Sequence, residues 1–370
     1  MRDATLYNRE VKTLAVVEEN GSIIDIVEVY NFENLPLMLQ KKLDLKSINR
    51  WLSTRKMPLT REGLEDAIFV YGDKPYTNYG HMFSLSDQYW LKFTQKDSWK
   101  KHNFFTNQYS SAVGQSLFEP WTVNKRELNK ESPDLTTAGR RKKVWVQDET
   151  THESYMIKAG SEELKMEPLS EILASMLLSK LHIIKFQNHY FETYGLSLCS
   201  KHKNFVKHDT EYIRAADICD FYDKPPKEKI YNHLIKSLET FGVTKPKVFI
   251  DRMILVDFLM GNNNRSLEDF GVIRNIITKE VYMAPLYNFG TAFFPEHGKV
   301  QNLFKDEIAR VTRSYGKLTE LKALENTKDL FTIIDQYPLI SKEEKEQIKE
   351  DTTKRFHPFI YEERERSRSK

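Results

Sequence analysis

Three groups of residues have types and spacings that could do chemistry together. Lys158 ends the apolar run Tyr155-Met156-Ile157, and Glu171 follows thirteen positions later (171 − 158), near the start of a helical pattern. A strand lysine held by a helix glutamate can grip the α- and β-phosphates of a nucleotide. Asn264 and Asp269 are five apart in the turn-rich stretch Gly261 to Phe270. An acid and an amide at that spacing can hold an acceptor hydroxyl and a divalent ion, here with the two residue types exchanged. Asn288-Phe289-Gly290 offers one further oxygen ligand ahead of a tight turn. The combined chemistry is transfer of a phosphoryl group. Each part alone has an ordinary explanation: a solvated ion pair, an Asn-rich turn, a strand exit. Their order along the chain argues for the chemical reading.

The elements that must position these residues can be read locally. Val144 to Gln147 and Ser154 to Lys158 read as two strands joined by a polar turn. A helix from about Pro168 carries Leu169, Ile172, Leu173, Met176, Leu177 and Leu181 at helical spacing. Lys247 to Met260 is apolar on nearly all faces, so it is expected to be buried, with Gly261 as its terminator. Phe270 to Arg274 and Glu280 to Ala284 read as a hairpin. Upstream, Val11 to Val17 and Ile23 to Tyr30 flank Asn20-Gly21, a strong hairpin signal. Short helices are expected over Asp44 to Leu52 and from Thr60, as its cap, to Phe69. Residues 126 to 143 read as a polar linker or mobile loop. Near the C-terminus, Ser341 and Glu344 form a capping box, and the last eight residues, ERERSRSK, read as a frayed tail.

The stretch from Asp251 to Gly290 resembles the catalytic region of HipA-like serine/threonine kinases. That family shows N-x-D-R-H-x-x-N-F-G after a buried helix, then a hairpin and a P-[ILVY]-[YF]-D motif. Asn262, Arg265, Phe270, Gly271, Pro285 and Tyr287 match. Tyr155 to Lys158 and Pro168 to Glu171 resemble the family's lysine strand and following helix, and SLSDQYW and HNFF look like its N-terminal region. The resemblance runs from about residue 80 to about 295.

It implies an α+β, two-lobed protein-kinase-like fold with a mainly β N-lobe and a helical C-lobe. Residues 1–125 would be an accessory module, 126–210 the N-lobe and 211–370 the C-lobe. It also implies ATP and Mg²⁺ as ligands, with Lys158 and Glu171 on the phosphates and Phe205-Val206 as the hinge under the adenine; a plain core strand is the equal alternative for that pair. Asp269 and Asn288 fall on the metal-binding positions, and Asn264 and Asp269 on the catalytic ones. The phosphate loop would lie between Ser132 and Lys143. Ser266, Thr136 and Thr137 are candidate sites of phosphorylation in cis.

The departures bear on activity. The family's catalytic Asp falls on Asn264, its neighbouring His on Ser266, and its two metal ligands on Asp269 and Asn288. One acid is kept at the metal site, but an amide cannot accept a proton from a hydroxyl. The expectation is a nucleotide-binding kinase relative with weak transfer, or a pseudokinase acting through a partner such as a helix-turn-helix antitoxin. Asp257 is expected to be a structural acid satisfied by Arg265 or loop amides, with a catalytic role as the alternative.

Composition limits the rest. The 370 residues hold 56 Lys and Arg against 53 Asp and Glu, a net of +3, which announces neither a nucleic-acid nor a membrane partner. A DNA-binding face would have to use Lys46, Arg50, Arg55, Lys56 and Arg61 around Trp51; a solvated helical face is the plainer reading. Two cysteines, Cys199 and Cys219, give no disulfide framework, and with no signal-like or membrane-spanning segment a cytoplasmic setting is expected. The ten histidines show no zinc-type spacing, so no zinc site is expected.

Overall fold

The computed structural model describes residues 1–161, 165–294 and 302–368. Strands dominate the N-terminal part and helices the C-terminal part. The first sheet is antiparallel, in the order β3 (Ser22–Val29), β2 (Val11–Glu19), β1 (Arg2–Asn8), β4 (Tyr89–Lys92). Its hairpin turns at Asn20 and Gly21, with φ of 51° and 79°, a conformation both residue types tolerate. Leu6, Leu14 and Val16 face inward and pack on Ile48, Trp51 and Leu52 of the helix Leu45–Thr54. Asp44 caps that helix by accepting from the Ser47 amide at 2.7 Å.

The second sheet runs β5 (Lys143–Gln147), β6 (Ser154–Ala159), β8 (Ser197–Lys203), β7 (Tyr190–Tyr194), again antiparallel. Lys143 lies opposite Lys158 across the β5–β6 ladder. The helix Glu167–Leu181 packs beneath. A third sheet joins β9 (Thr210–Arg214), β10 (Gly271–Asn275) and β11 (Val281–Met283). The helix Pro246–Met260 is buried almost all round, through Ile250, Met253, Leu255, Val256 and Leu259, and Gly261 ends it with φ 64°. It belongs to the largest core cluster, which extends to Phe356. At full burial each such aliphatic side chain stabilises the fold by roughly 1.5–3 kcal/mol.

Three local expectations need correction. The helix expected from Thr60 begins at Leu64 and runs to Tyr71. Arg61, only 2% exposed, points inward to the Thr137 carbonyl at 2.5 Å, and this holds residues 58–63 in turns. Residues 126–143 are not a free linker. Pro133–Thr136 forms a buried 3-10 turn, and Asp134 accepts from the amides of Gly114 at 3.1 Å and Trp145 at 2.8 Å. Burying a carboxylate among these two amides and the Ser132 hydroxyl, which donates at 3.3 Å, fixes the segment to β5. The last helix, Lys342–Arg368, carries the expected Ser341–Glu344 box and continues through most of the tail expected to fray; residues 369 and 370 lie outside the described residues.

Candidate active site

Lys158 leaves β6 toward the helix Glu167–Leu181 and meets Glu171 there, Nζ to Oε1 at 2.5 Å. Glu171 is fully buried. Its second oxygen accepts from the Phe289 amide at 3.2 Å and faces His189 Nε2 at 3.2 Å. One carboxylate therefore ties the lysine strand to the Asn-Phe-Gly segment 118 residues downstream (289 − 171). Burial alone would raise the Glu171 carboxyl, but Lys158, His189 and the Phe289 N–H outweigh it and hold the group well below the usual range. Depression of this kind stabilises the fold above pH ~4.3, the ordinary glutamate value, and the benefit fades as pH falls below it. The stability advantage of the native chain over Glu171→Gln, measured by urea unfolding, should accordingly shrink between neutral pH and pH 3.

Asp257 is structural. It receives Arg265 in a fork, Nε to Oδ2 at 3.0 Å and Nη2 to Oδ1 at 2.9 Å, and the Asn262 amide at 2.7 Å. Arg265 Nη1 then donates to the Tyr287 carbonyl at 2.6 Å. Thr291 donates to Asn262 at 3.1 Å. This network clamps the loop after the buried helix to the Asn-Phe-Gly segment. The outcome is that Asp269 and Asn288 touch: Asn288 Nδ2 donates to Asp269 Oδ1 at 2.5 Å. Asp269 Oδ2 accepts from the Ser266 amide at 2.9 Å and hydroxyl at 2.7 Å. Asn288 sits at φ 64°, which asparagine tolerates better than most residues. Its Oδ1 and the remaining lone pairs of Asp269 are the oxygens a Mg²⁺ ion could use.

Lys158, Phe205, Val206, Asp269 and Asn288 all line one cavity of about 610 Å³. Glu171 stands behind Lys158, and Asn264 is exposed and outside the cavity lining. Phe205 and Val206 are not in a strand. They lie in the connection from β8 to β9, at the junction of the second and third sheets, with the Phe205 ring 5.7 Å from both Tyr212 and Tyr287. The core-strand alternative is thereby corrected: the pair sits in a connection that lines the cavity.

Two residues not singled out in the sequence also line the cavity, Arg141 and Lys143. Arg141 pairs with Glu167 and lies against Gly290, where a Cβ would meet Nη1 at 2.7 Å. Among the described residues that buried Nη1 has no hydrogen-bond partner. Lys143 donates to the Ala138 carbonyl at 2.8 Å, with no carboxylate among its described ion-pair partners. Burial, with Arg61, Lys158 and Arg141 crowding it, pushes the Lys143 ammonium well below its ordinary value. Among the described residues Lys143 has no carboxylate partner and Arg141 keeps one donor free beyond its Glu167 pair, an arrangement that fits an anion such as a nucleotide phosphate. The signal was present in the sequence: the β5–β6 hairpin is symmetric about its turn, so counting back from Lys158 reaches Lys143.

The other candidates separate. Thr136 donates to the Phe83 carbonyl and Thr137 to the Pro133 carbonyl, both at 2.7 Å, so both hydroxyls are engaged within the protein; Ser266 is exposed, with its hydroxyl on Asp269. The basic set around Trp51 does not share one exposed face, and Lys56 is half-buried. Trp51, Arg55 and Arg61 are buried, with Arg55 paired to Asp87, while Lys46 and Arg50 are exposed. Cys199 and Cys219 are both free and buried. Among the described residues, no helix is long and apolar enough to cross a membrane.

A lysine–glutamate pair below an antiparallel sheet, facing a carboxylate–amide pair on the helical side of one cavity, defines a kinase-like fold. Comparison with known proteins finds likenesses, all at low identity, to a serine/threonine-protein kinase and to a HipA-containing complex. The chain is 24% identical over 198 residues to the serine/threonine-protein kinase CtkA of Helicobacter pylori, across 46% of this chain and 59% of that protein's length. A chain in the Shewanella oneidensis complex of HipA, HipB and operator DNA matches over 96% of both chains, with 11% identity and a TM-score of 0.53. The crystal structure of the Helicobacter pylori proinflammatory kinase CtkA matches 61% of this chain and 95% of its own, with 20% identity and a TM-score of 0.45. No family model matches the chain. The HipA likeness shows the fold alone.

Proposed function

We propose that this chain binds ATP with Mg²⁺ in the 610 Å³ cavity and transfers phosphate weakly to protein serine or threonine. The observation that supports the reading is the Lys158–Glu171–Phe289 linkage, which ties the lysine strand to the residue after Asn288, while Lys158, Asp269 and Asn288 line the same cavity. On this reading residues 126–210 form the upper lobe, 211–370 the lower lobe, and 1–125 an accessory module that contributes part of the cavity wall. Lys158, Lys143 and Arg141 hold phosphate oxygens, and the Phe205–Val206 segment borders the base. Mg²⁺ held by Asp269 and Asn288 would offset phosphate charge. Asn264 can orient an acceptor hydroxyl but cannot take its proton.

The test is a thermal-shift titration with ATP and Mg²⁺ beside incubation with γ-labelled ATP. Ligand at a hundred times its Kd stabilises a protein by roughly 2.7 kcal/mol, so binding is readable without turnover. Lys158→Met should weaken ATP binding at least tenfold; equal affinity in the variant would remove the assignment. A second reading, a non-catalytic protein that binds a partner of helix-turn-helix antitoxin type, is favoured by the exposure of Asn264 away from the cavity. ATP binding with no label transfer, and stable co-elution with such a partner, would support it.

A further inference from the structure

Away from the cavity, two histidines and two carboxylates converge near β4. His81 precedes the strand, Asp97 follows it, His102 ends the short helix Trp99–His102, and Glu131 comes from the segment leading to the buried Pro133–Thr136 turn. We infer that His81, Asp97 and His102 bind a divalent transition-metal ion of the zinc type, with Glu131 orienting His81. The three donor atoms all lie within 4.8 Å of one another. His81 Nε2 is 3.3 Å from Asp97 Oδ2. Two ligands at ordinary zinc bond lengths in a tetrahedral shell are about 3.3 Å apart, so this pair already has that separation. The His102 ring stacks on His81 at 4.7 Å.

The surroundings add a feature that a bare cluster would lack. Glu131 Oε1 faces the other His81 nitrogen, Nδ1, at 2.8 Å, and the same carboxylate accepts the His81 amide at 3.2 Å. Metal-binding histidines commonly give their second nitrogen to a carboxylate, which fixes the tautomer and leaves Nε2 for the ion. Asp97 is held through the same Oδ2, which accepts from the Thr94 amide at 2.7 Å and the Phe93 amide at 3.2 Å and so fixes the carboxylate beside the two rings. Phe83, Trp90 and Phe93 enclose His81, with ring centroids 5.6–6.2 Å away. A divalent ion would balance the two carboxylates. Two imidazoles and one carboxylate select zinc-type ions over Mg²⁺ or Ca²⁺, and leave a fourth position for water. None of the four residues lines the ATP cavity. No zinc-type spacing is visible along the chain because the ligands come from separate turns that β4 and the Glu131 segment bring together.

The test uses the full chain, stripped of metal and desalted, with no ATP or Mg²⁺. Zn²⁺ is titrated against a chromophoric chelator, and Co²⁺ is followed by visible absorption. The expected result is one equivalent of Zn²⁺, a rise in Tm, and the intense absorption of tetrahedral Co²⁺. His102→Gln should lower Zn²⁺ affinity at least tenfold, and Glu131→Gln by about 10–100-fold, both with unchanged circular dichroism. Lys158→Met should leave Zn²⁺ binding as it is. Absence of Zn²⁺ binding, equal affinity in His102→Gln, or displacement of Zn²⁺ by millimolar Mg²⁺ would each overturn the inference.

Discussion

Asn264→Asp combined with Asn288→Asp should raise phosphate transfer by about 10²–10⁴-fold, the range that general-base assistance contributes. Label transfer from ATP to a generic protein acceptor measures it. The two changes do different things. Asn264→Asp supplies a proton acceptor at a position that is exposed in the present conformation, so its benefit requires the loop to meet the substrate hydroxyl. Asn288→Asp acts inside the cavity. It puts a second carboxylate where Asn288 Nδ2 now sits 2.5 Å from Asp269. Like charges at that separation repel, so the single variant should be less stable than the native chain without metal and should regain the loss as Mg²⁺ is added. A double variant that binds ATP and stays inert would defeat the catalytic assignment while leaving nucleotide binding intact.

Asp257→Ala should cost about 3–5 kcal/mol of stability, read from urea unfolding, because it strands a buried guanidinium. Arg265 is 4% exposed, and both its fork contacts go to Asp257. The same substitution releases Asn262 and loosens the tie through Arg265 to the Tyr287 carbonyl. Asp269 and Asn288 should then separate, so ATP affinity falls along with stability. Removing both charges, as in Asp257→Leu with Arg265→Met, should recover much of the stability without restoring ATP binding. That divergence distinguishes a clamp from an acid that takes part in the reaction.

What was legible in the sequence was what is determined locally. The Asn20-Gly21 hairpin, the β5–β6 pair, the helix Glu167–Leu181 and the buried helix Pro246–Met260 follow from turn chemistry and hydrophobic period, and the structure has them within a few residues. The pairings of Lys158 with Glu171 and of Asp269 with Asn288 were legible where a motif supplied order and spacing. It was not legible where the third dimension decides. Thr60 looks like a helix cap until Arg61 turns inward, and residues 126–143 look like a linker until Asp134 finds two amides. The exposure of Asn264 and the convergence of His81 with His102 depend on loop paths that no local pattern encodes.

The cavity wall draws on Trp51 and Arg55, on Asp87, on the β5–β6 pair, and on residues as far along as Asn288. Such a site has no precursor in any short segment. During synthesis it cannot close until nearly 290 residues have left the ribosome, and its pairings are of long sequence separation, which folds slowly. Until then the basic residues around Lys143 stand without their acidic and aromatic neighbours. On the proposed function, ATP capture would therefore report that the first sheet and the Asn-Phe-Gly segment have come together.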